Sequence, residues 1–203
     1  GVVFFANEEV KDIEVSNAVI SKVITDKQEL SADEVVLAAG SWSPLITKKL
    51  GIKIPIQAGK GYRINVARET NITIPAILCE AKVAVTPMDG FTRFSGTMEV
   101  AGINHTINPV RVEAIANAAK NFYQGLEITS EEKAAAQCGL RPCSPDGLPY
   151  IGKSSKCKNL TIATGHAMMG WSLGPATGKL VAEVISEKKT TLDLNPFHPD
   201  RTF

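Results

Sequence analysis

Arg141 is the side chain of this sequence best suited to hold an anion. It stands between Leu140 and Pro142 in a stretch that reads as half-buried. A guanidinium fork can grip a carboxylate through two parallel hydrogen bonds, and an arginine withdrawn from water needs an anionic partner. From the residues alone, two partners stay open: Asp146, close in sequence, or the carboxylate of a bound substrate. A second chemistry-bearing stretch runs from Thr164 to Gly178, Thr-Gly-His-Ala-Met-Met-Gly-Trp-Ser-Leu-Gly-Pro-Ala-Thr-Gly. The apolar run Leu160 to Ala163 before it predicts a strand. Leu173, Ala176, Leu180, Val181, Val184 and Ile185 after it recur at helical spacing. A strand feeding a helix through glycines at 165, 170 and 174 presents free N–H groups and partial positive charge, fit for a phosphate, a carboxylate or an electron-rich ring. His166 in that turn reads either as an acid–base group or as a structural hydrogen-bonding residue. Neither known phosphate loop is present: Gly165 to Gly170 runs into Trp171, Gly174 to Gly178-Lys179 is one residue short, and no G-x-G-x-x-G follows a strand.

The elements that must position these groups follow from periodicity and turn chemistry. Glu9 to Val15 and Ala18 to Thr25 alternate as strands, with Asp26 to Gln28 as a turn. Glu34-Val-Val-Leu-Ala-Ala-Gly40 is a compact apolar run ending in small residues, readable as a plain core strand or as a parallel strand whose C-terminal end meets a ligand. Ser43-Pro44 opens a short helix closed by Gly51. Ile54 to Ile56, Tyr62 to Val66, Ala76 to Leu78, Lys82 to Pro87 and Thr92 to Gly96 predict an antiparallel sheet, with a hairpin turn at Met88-Asp89-Gly90. Asn108 and Pro109 start a helix with Val112, Ile115, Ala118, Ala119 and Phe122 on its apolar side, and a second short helix follows Ser130. Three prolines and three glycines between Cys138 and Gly152 predict an irregular path there.

Composition narrows the classes. The chain has 203 residues, 44% of them hydrophobic, and a net charge of +1, which disfavours an electrostatic nucleic-acid binder. No apolar run reaches membrane-spanning length. Cysteines 79, 138, 143 and 157 fit neither a disulfide framework nor zinc spacing, and are expected as reduced thiols. The start at Gly1-Val-Val-Phe-Phe, inside an apolar run, reads as a chain cut from something longer.

Four stretches together resemble the C-terminal part of the FAD-dependent amine oxidoreductases of the D-amino-acid oxidase superfamily, above all the D-amino-acid dehydrogenase branch. They are Val35 to Trp42, Gly59-Lys-Gly-Tyr62, Gly139-Leu-Arg-Pro with Ser144-Pro-Asp-Gly, Pro149 and Gly152, and Thr164-Gly-His with Gly170-Trp. The tail from Leu194 to Phe203 resembles that family's ending. The implied fold class is α/β (α+β). Residues 1–43 would be the last strands of an FAD domain, 44–137 a substrate domain with an antiparallel sheet, and 138–203 a return to the FAD domain. The family's N-terminal βαβ unit, with its pyrophosphate loop, has no counterpart here.

The resemblance implies FAD as cofactor. Ala39, Gly40 and Trp42 would line its ribose and ribityl chain, with Val10 near the adenine. Gly165, His166, Met168, Met169, Gly170 and Trp171 would form the flavin-facing turn. It implies a small amino acid as substrate, with Arg141 on its carboxylate and Tyr62 adding a hydrogen bond to the same group. The amino acid would pass a hydride from Cα to the flavin and end as keto acid and ammonia. Met168 stands where glycine oxidase has a second arginine, which favours an apolar side-chain pocket. A cytoplasmic protein, peripheral on the inner membrane, is implied by the dehydrogenase branch. The missing N-terminal half is the expected partner, and apolar surface left by its absence allows a homodimer. Two rivals remain: a flavin-free, non-catalytic half, and an imino-acid, hydroxyproline or N-methyl amino-acid dehydrogenase.

Overall fold

The computed structural model describes all residues, 1–203. The chain divides into two compact units, one made of residues 1–57 and 142–203, the other of residues 58–141.

In the first unit, β1 (Val10–Ser16), β2 (Val19–Thr25) and β3 (Glu29–Leu30) form an antiparallel meander. A separate three-stranded sheet sets β4 (Val35–Leu37) beside β11 (Leu160–Thr164), which in turn pairs with β10 (Tyr150–Lys153). β4 and β11 are parallel, Leu160 opposite Val35 and Ile162 opposite Leu37, so both chains leave the sheet at the same end. From β4 the chain enters a single 3-10 turn, Gly40–Trp42, and then α1 (Ser43–Lys49). From β11 it enters the Gly165 turn and α4 (Gly170–Ile185). The core gathers Ile20, Leu37, Tyr150, Leu160 and Ile162 with Ile52, Ile54 and Ile56. Those last three isoleucines correct two expectations. Ile54 to Ile56 is no strand but an extended connection, and the first unit continues to residue 57 rather than ending at 43. The alternation that resembles a strand instead serves to bury one side of a connector. Asn159 locks the meander to this core, its side-chain amide accepting from Ile20 N at 2.8 Å and donating to Ile20 O at 3.0 Å.

The second unit is a five-stranded sheet in the order β6 (Ala76–Leu78), β7 (Val83–Met88), β8 (Phe91–Val100), β5 (Gln57–Val66), β9 (Gln137–Cys143). β7 and β8 form the hairpin whose turn is Asp89-Gly90. One sheet face packs on α2 (Pro109–Phe122): Tyr62, Ile64, Val66, Val83, Val85 and Phe94 meet Val112, Ile115, Ala118 and Ala119. Asn108 caps α2 by accepting from Val110 N at 3.1 Å. Phe122 was expected on this apolar side but is exposed, because Ala116 rather than Phe122 completes the buried stripe. α3 (Ser130–Ala134) is capped one residue earlier than its sequence suggests, by Thr129, with Glu132 closing a capping box. The irregular path predicted for Cys138 to Gly152 shrinks to 144–149, because β9 and β10 take its two ends into ladders. No helix is long and apolar enough to cross a membrane.

Candidate functional site

In the first unit, a polar tie fixes the end of the sheet where β4 and β11 both leave. Ser43 Oγ donates to Thr164 Oγ1 at 3.1 Å, and Thr164 Oγ1 donates to Gly40 O at 3.2 Å. Ser43 and Thr164 are buried, so the pair holds the two post-strand turns side by side in a place where water does not compete. Gly165 needs its glycine twice over: φ is +88°, and a Cβ there would come within 3.1 Å of the Tyr150 ring. Ala167 N donates to Pro142 O at 2.9 Å, so the turn is held from both sides.

The Gly40 side of this edge carries a groove of about 500 Å³. Val10, Ala39 and Trp42, three residues predicted to lie along a cofactor, line it together with Ile13, Leu45 and Ile46. Gly40 stands between two of them with φ +54°. The groove is largely apolar, with Glu8, Lys11, Asp12 and Lys49 at its margins. Lys49 Nζ reaches Asp12 at 2.8 Å, and this hydrogen bond holds the Asp12 carboxyl below the usual carboxylate range. Such a trough suits an aromatic base and a sugar.

On the β11 side, Gly170 opens α4, and Met169 at the cap position offers no side-chain hydrogen bond to the first turn. The N–H groups at the start of this helix are therefore left for water or a ligand. Met168 and Met169 are more than half exposed, and Trp171 is 97% exposed. His166 is accounted for structurally: its Nε2 lies 2.8 Å from Thr177 Oγ1, joining the turn to the second turn of α4. Burial pushes the imidazole pKa down, so the ring favours the neutral form.

In the second unit, Arg141 lies flat across β5. A Cβ built on Gly61 would sit 1.8 Å from its Nη1 and 2.2 Å from its Cζ. Glycine at 61 is thus the space the guanidinium occupies. Its one protein hydrogen bond, Nη1 to Thr97 O, is long at 3.4 Å, and no carboxylate lies within ion-pair distance. Asp146, the structural partner the sequence allowed, is taken by Arg201. Nε and Nη2 of Arg201 hold the two Asp146 oxygens at 3.0 and 3.1 Å, and the Arg201 guanidinium stacks 3.9 Å from the Tyr150 ring centre.

The backbone around Arg141 is not a regular ladder. The β5–β8 register shifts between Lys60 and Tyr62, so Thr97 and Met98 oppose Gly61 alone. Thr97 carries φ +65°, a sparsely populated conformation for a β-branched residue. Its hydroxyl is buried without a partner. Strain and an orphaned hydroxyl at a bulge are features that gather at binding sites. Neither Gly61 nor Thr97 stood out in the sequence as a site residue. Gly61 lay inside a recognised motif, whereas a threonine with positive φ leaves no mark in a sequence.

Tyr62 is placed differently from Arg141. Its side chain belongs to the α2-facing core, 1% exposed, and its hydroxyl donates to Glu99. Burial first, and Glu99 next, push its pKa up to about 12. Tyr62 lines the same concavity as Arg141, while alternation along the strand turns its hydroxyl, held by Glu99, toward the α2-facing core.

One unit thus ends two parallel strands at a common edge, and the other carries on its sheet an arginine with no acidic partner. Comparison with known proteins identifies the family. A family model described as FAD dependent oxidoreductase (DAO) matches residues 1–184, and the chain belongs to this family. It is 31% identical over 199 residues to a D-amino acid dehydrogenase of Rhizobium rhizogenes, covering 95% of this chain and 46% of that protein. A D-amino acid dehydrogenase of Sinorhizobium medicae is 29% identical over 196 residues, again covering 95% and 46%. Among solved structures, the glycine oxidase of Geobacillus kaustophilus superposes with a TM-score of 0.83 at 25% identity, over 97% of this chain and 52% of that one. The L-proline dehydrogenase of P. horikoshii shares the fold, with a TM-score of 0.81 at 24% identity, over 95% and 53%. The chain thus spans about half the length of the curated relatives it matches.

Proposed function

We propose that this chain is the part of an FAD-dependent oxidoreductase that grips an amino-acid substrate and the flavin end of the cofactor, in an enzyme that oxidatively deaminates amino acids. The observation that carries the reading is Arg141: a guanidinium given its own space by Gly61, beside a strained bulge, with no acidic side chain to neutralise it. An anionic ligand supplies what the protein withholds. Arg141 would bind the α-carboxylate and so orient the amino acid; Tyr62, its hydroxyl engaged by Glu99, would support the strand rather than touch the ligand.

The first unit fits FAD. Ala39, Gly40 and Trp42 would line its ribose and ribityl chain, with Val10 near the adenine, and the uncapped N–H groups that follow Met169 would face electron-rich atoms of the ring. When bound, FAD supplies the acceptor for the hydride lost from the substrate Cα. The protein's own share is to bind, orient and exclude water. His166 moves no proton in this reading; it fastens the turn through Thr177. The D-amino acid dehydrogenase relatives favour a D-amino acid as substrate, with keto acid and ammonia as products.

The test is a flavin titration followed by absorbance and fluorescence, on this chain alone and with the N-terminal half of a D-amino acid dehydrogenase relative added. Flavin bound by either preparation, and bleached by a D-amino acid in the native form but not in Arg141→Ala, is the expected result. A flavin that stays oxidised with every amino acid offered would defeat the proposal.

A further inference from the structure

The sheet face that carries Arg141 carries two more arginines. Tyr62, Ile64 and Val66 of β5 and Phe94 of β8 point into the α2-facing core. Alternation therefore turns Arg63 and Arg93 to the opposite face, with Gly61. In the β5–β8 register Arg63 pairs with Ser95 and Asn65 with Arg93, which makes the two arginines diagonal neighbours on one face. Arg63, Arg93, Ser95, Gly139 and Arg141 all line one concavity of about 360 Å³. Along β5, Arg63 stands two residues from the spot where the Arg141 guanidinium rests, a span of about 7 Å.

None of the three has an acidic partner. Arg63 donates to Gln137 Oε1, with Nε at 3.2 Å, and Arg93 Nε donates to Asn65 Oδ1 at 3.0 Å; both acceptors are neutral amides. Arg68 and Arg201, by contrast, have carboxylate partners, Glu132 and Asp146. Burial, and then the Arg63 charge, hold the Arg93 pKa below its usual value. Three cations gathered in one concavity without a counter-charge repel each other, and a ligand with two negative groups relieves that repulsion.

We propose that Arg63 and Arg93 form a second anion subsite beside Arg141, so that the amino acid taken carries an acidic side chain. The inference rests on Arg141 as the anchor of the α-carboxylate. Met168, which suggested an apolar side-chain pocket, is not among the residues that line this concavity.

The experiment is an amide ¹H–¹⁵N NMR titration of the 203-residue chain with glutarate, with its monomethyl ester and with butyrate. The expected result is that all three shift Gly61 and Arg141, while glutarate binds about tenfold or more tightly than the other two. Arg63→Met and Arg93→Met should bring glutarate down to the level of butyrate and leave butyrate unchanged. Equal affinity for the three acids in the native chain overturns the second subsite while Arg141 stands, and this comparison needs no variant to fold. Loss of butyrate binding in Arg93→Met would make the arginine part of the first subsite and also overturn it. No shift with any acid overturns the Arg141 anchor and this proposal together.

Discussion

In the proposed reading the two units would meet a ligand in opposite ways. The first offers backbone: two strand ends, two tight turns and the start of α4, held in place by Ser43 and Thr164. The second offers side chains on a sheet, Arg141 above all, and makes room for it with a glycine and a bulge. A backbone site is specified by the residues that permit a conformation and changes little when a side chain is trimmed. A side-chain site concentrates its energy in one charged group, and trimming that group leaves nothing behind.

The sharpest break of the comparison is therefore Arg141→Ala. Truncating one member of a charge-assisted pair costs about 2–5 kcal/mol of binding, so affinity for a carboxylate probe such as butyrate should fall by about a hundredfold, read by the same NMR titration. Unfolding in urea should be almost unaffected, because the side chain makes a single long hydrogen bond to the protein. A large loss of stability with unchanged butyrate binding would place Arg141 in the architecture instead of the site.

Thr164→Val probes the other unit. It removes a hydroxyl that accepts from Ser43 and donates to Gly40 O, leaving the buried Ser43 hydroxyl and the partly buried Gly40 carbonyl without it. The expected loss is about 1–3 kcal/mol of stability, measured by urea denaturation of the first unit, with weaker flavin binding as a consequence. Thr164→Ser keeps the hydroxyl and should restore most of the loss.

How much of this was legible before the structure depends on the same contrast. Backbone sites announce themselves, because glycines, prolines and small residues at strand ends are chosen for conformation; the turns at Gly40 and Gly165 and the helices that begin at Ser43 and Gly170 stand where their residues suggest. Arg141 was legible as an arginine in need of an anion, and Asp146 is withdrawn from it by Arg201, a residue 55 positions further along the chain than Asp146. What the sequence could not convey was register. Which face Tyr62 takes, and that Arg63 and Arg93 share a face with Arg141, follow from a one-residue offset between β5 and β8 set by the Thr97 bulge. The isoleucines at 52, 54 and 56 misled for a related reason: alternation reports burial on one side, and a connector can bury one side without a neighbour to pair with.

Gly61→Ala sharpens the comparison because it should separate binding from stability. The new methyl group meets only the far end of a flexible side chain, which can swing aside. Stability should change by less than about 1 kcal/mol, since a strand position gains from losing glycine. Butyrate affinity should drop by about tenfold as Arg141 is displaced, a loss of about 1.4 kcal/mol.

Thr97→Gly runs the other way. Glycine accepts φ +65° without the clash a β-branched residue suffers there, and the change also deletes a buried hydroxyl that has no partner. The second unit should gain about 1 kcal/mol, the αL cost less the entropy glycine brings to the unfolded chain. A gain in stability with a loss of ligand affinity would mark the strain as part of the site; a gain with affinity intact would mark it as a cost of the bulge alone.

The smallest effect is a pH dependence confined to the backbone-built unit. Burial lowers the His166 pKa in the folded state, below the value of about 6.5 it takes when unfolded. The folded state then binds fewer protons than the unfolded state in this range, so stability rises with pH. The contribution is fully present above about pH 6.5 and is lost as pH falls through the folded pKa, where the imidazolium must be formed in a half-buried turn. A step in urea midpoint against pH for the first unit, absent in His166→Asn, checks it. His166 belongs to the first unit, and the second unit's midpoint should not follow that step; if both units moved together, the turn could not be the origin, and the division of labour between backbone and side chain would lose its cleanest marker.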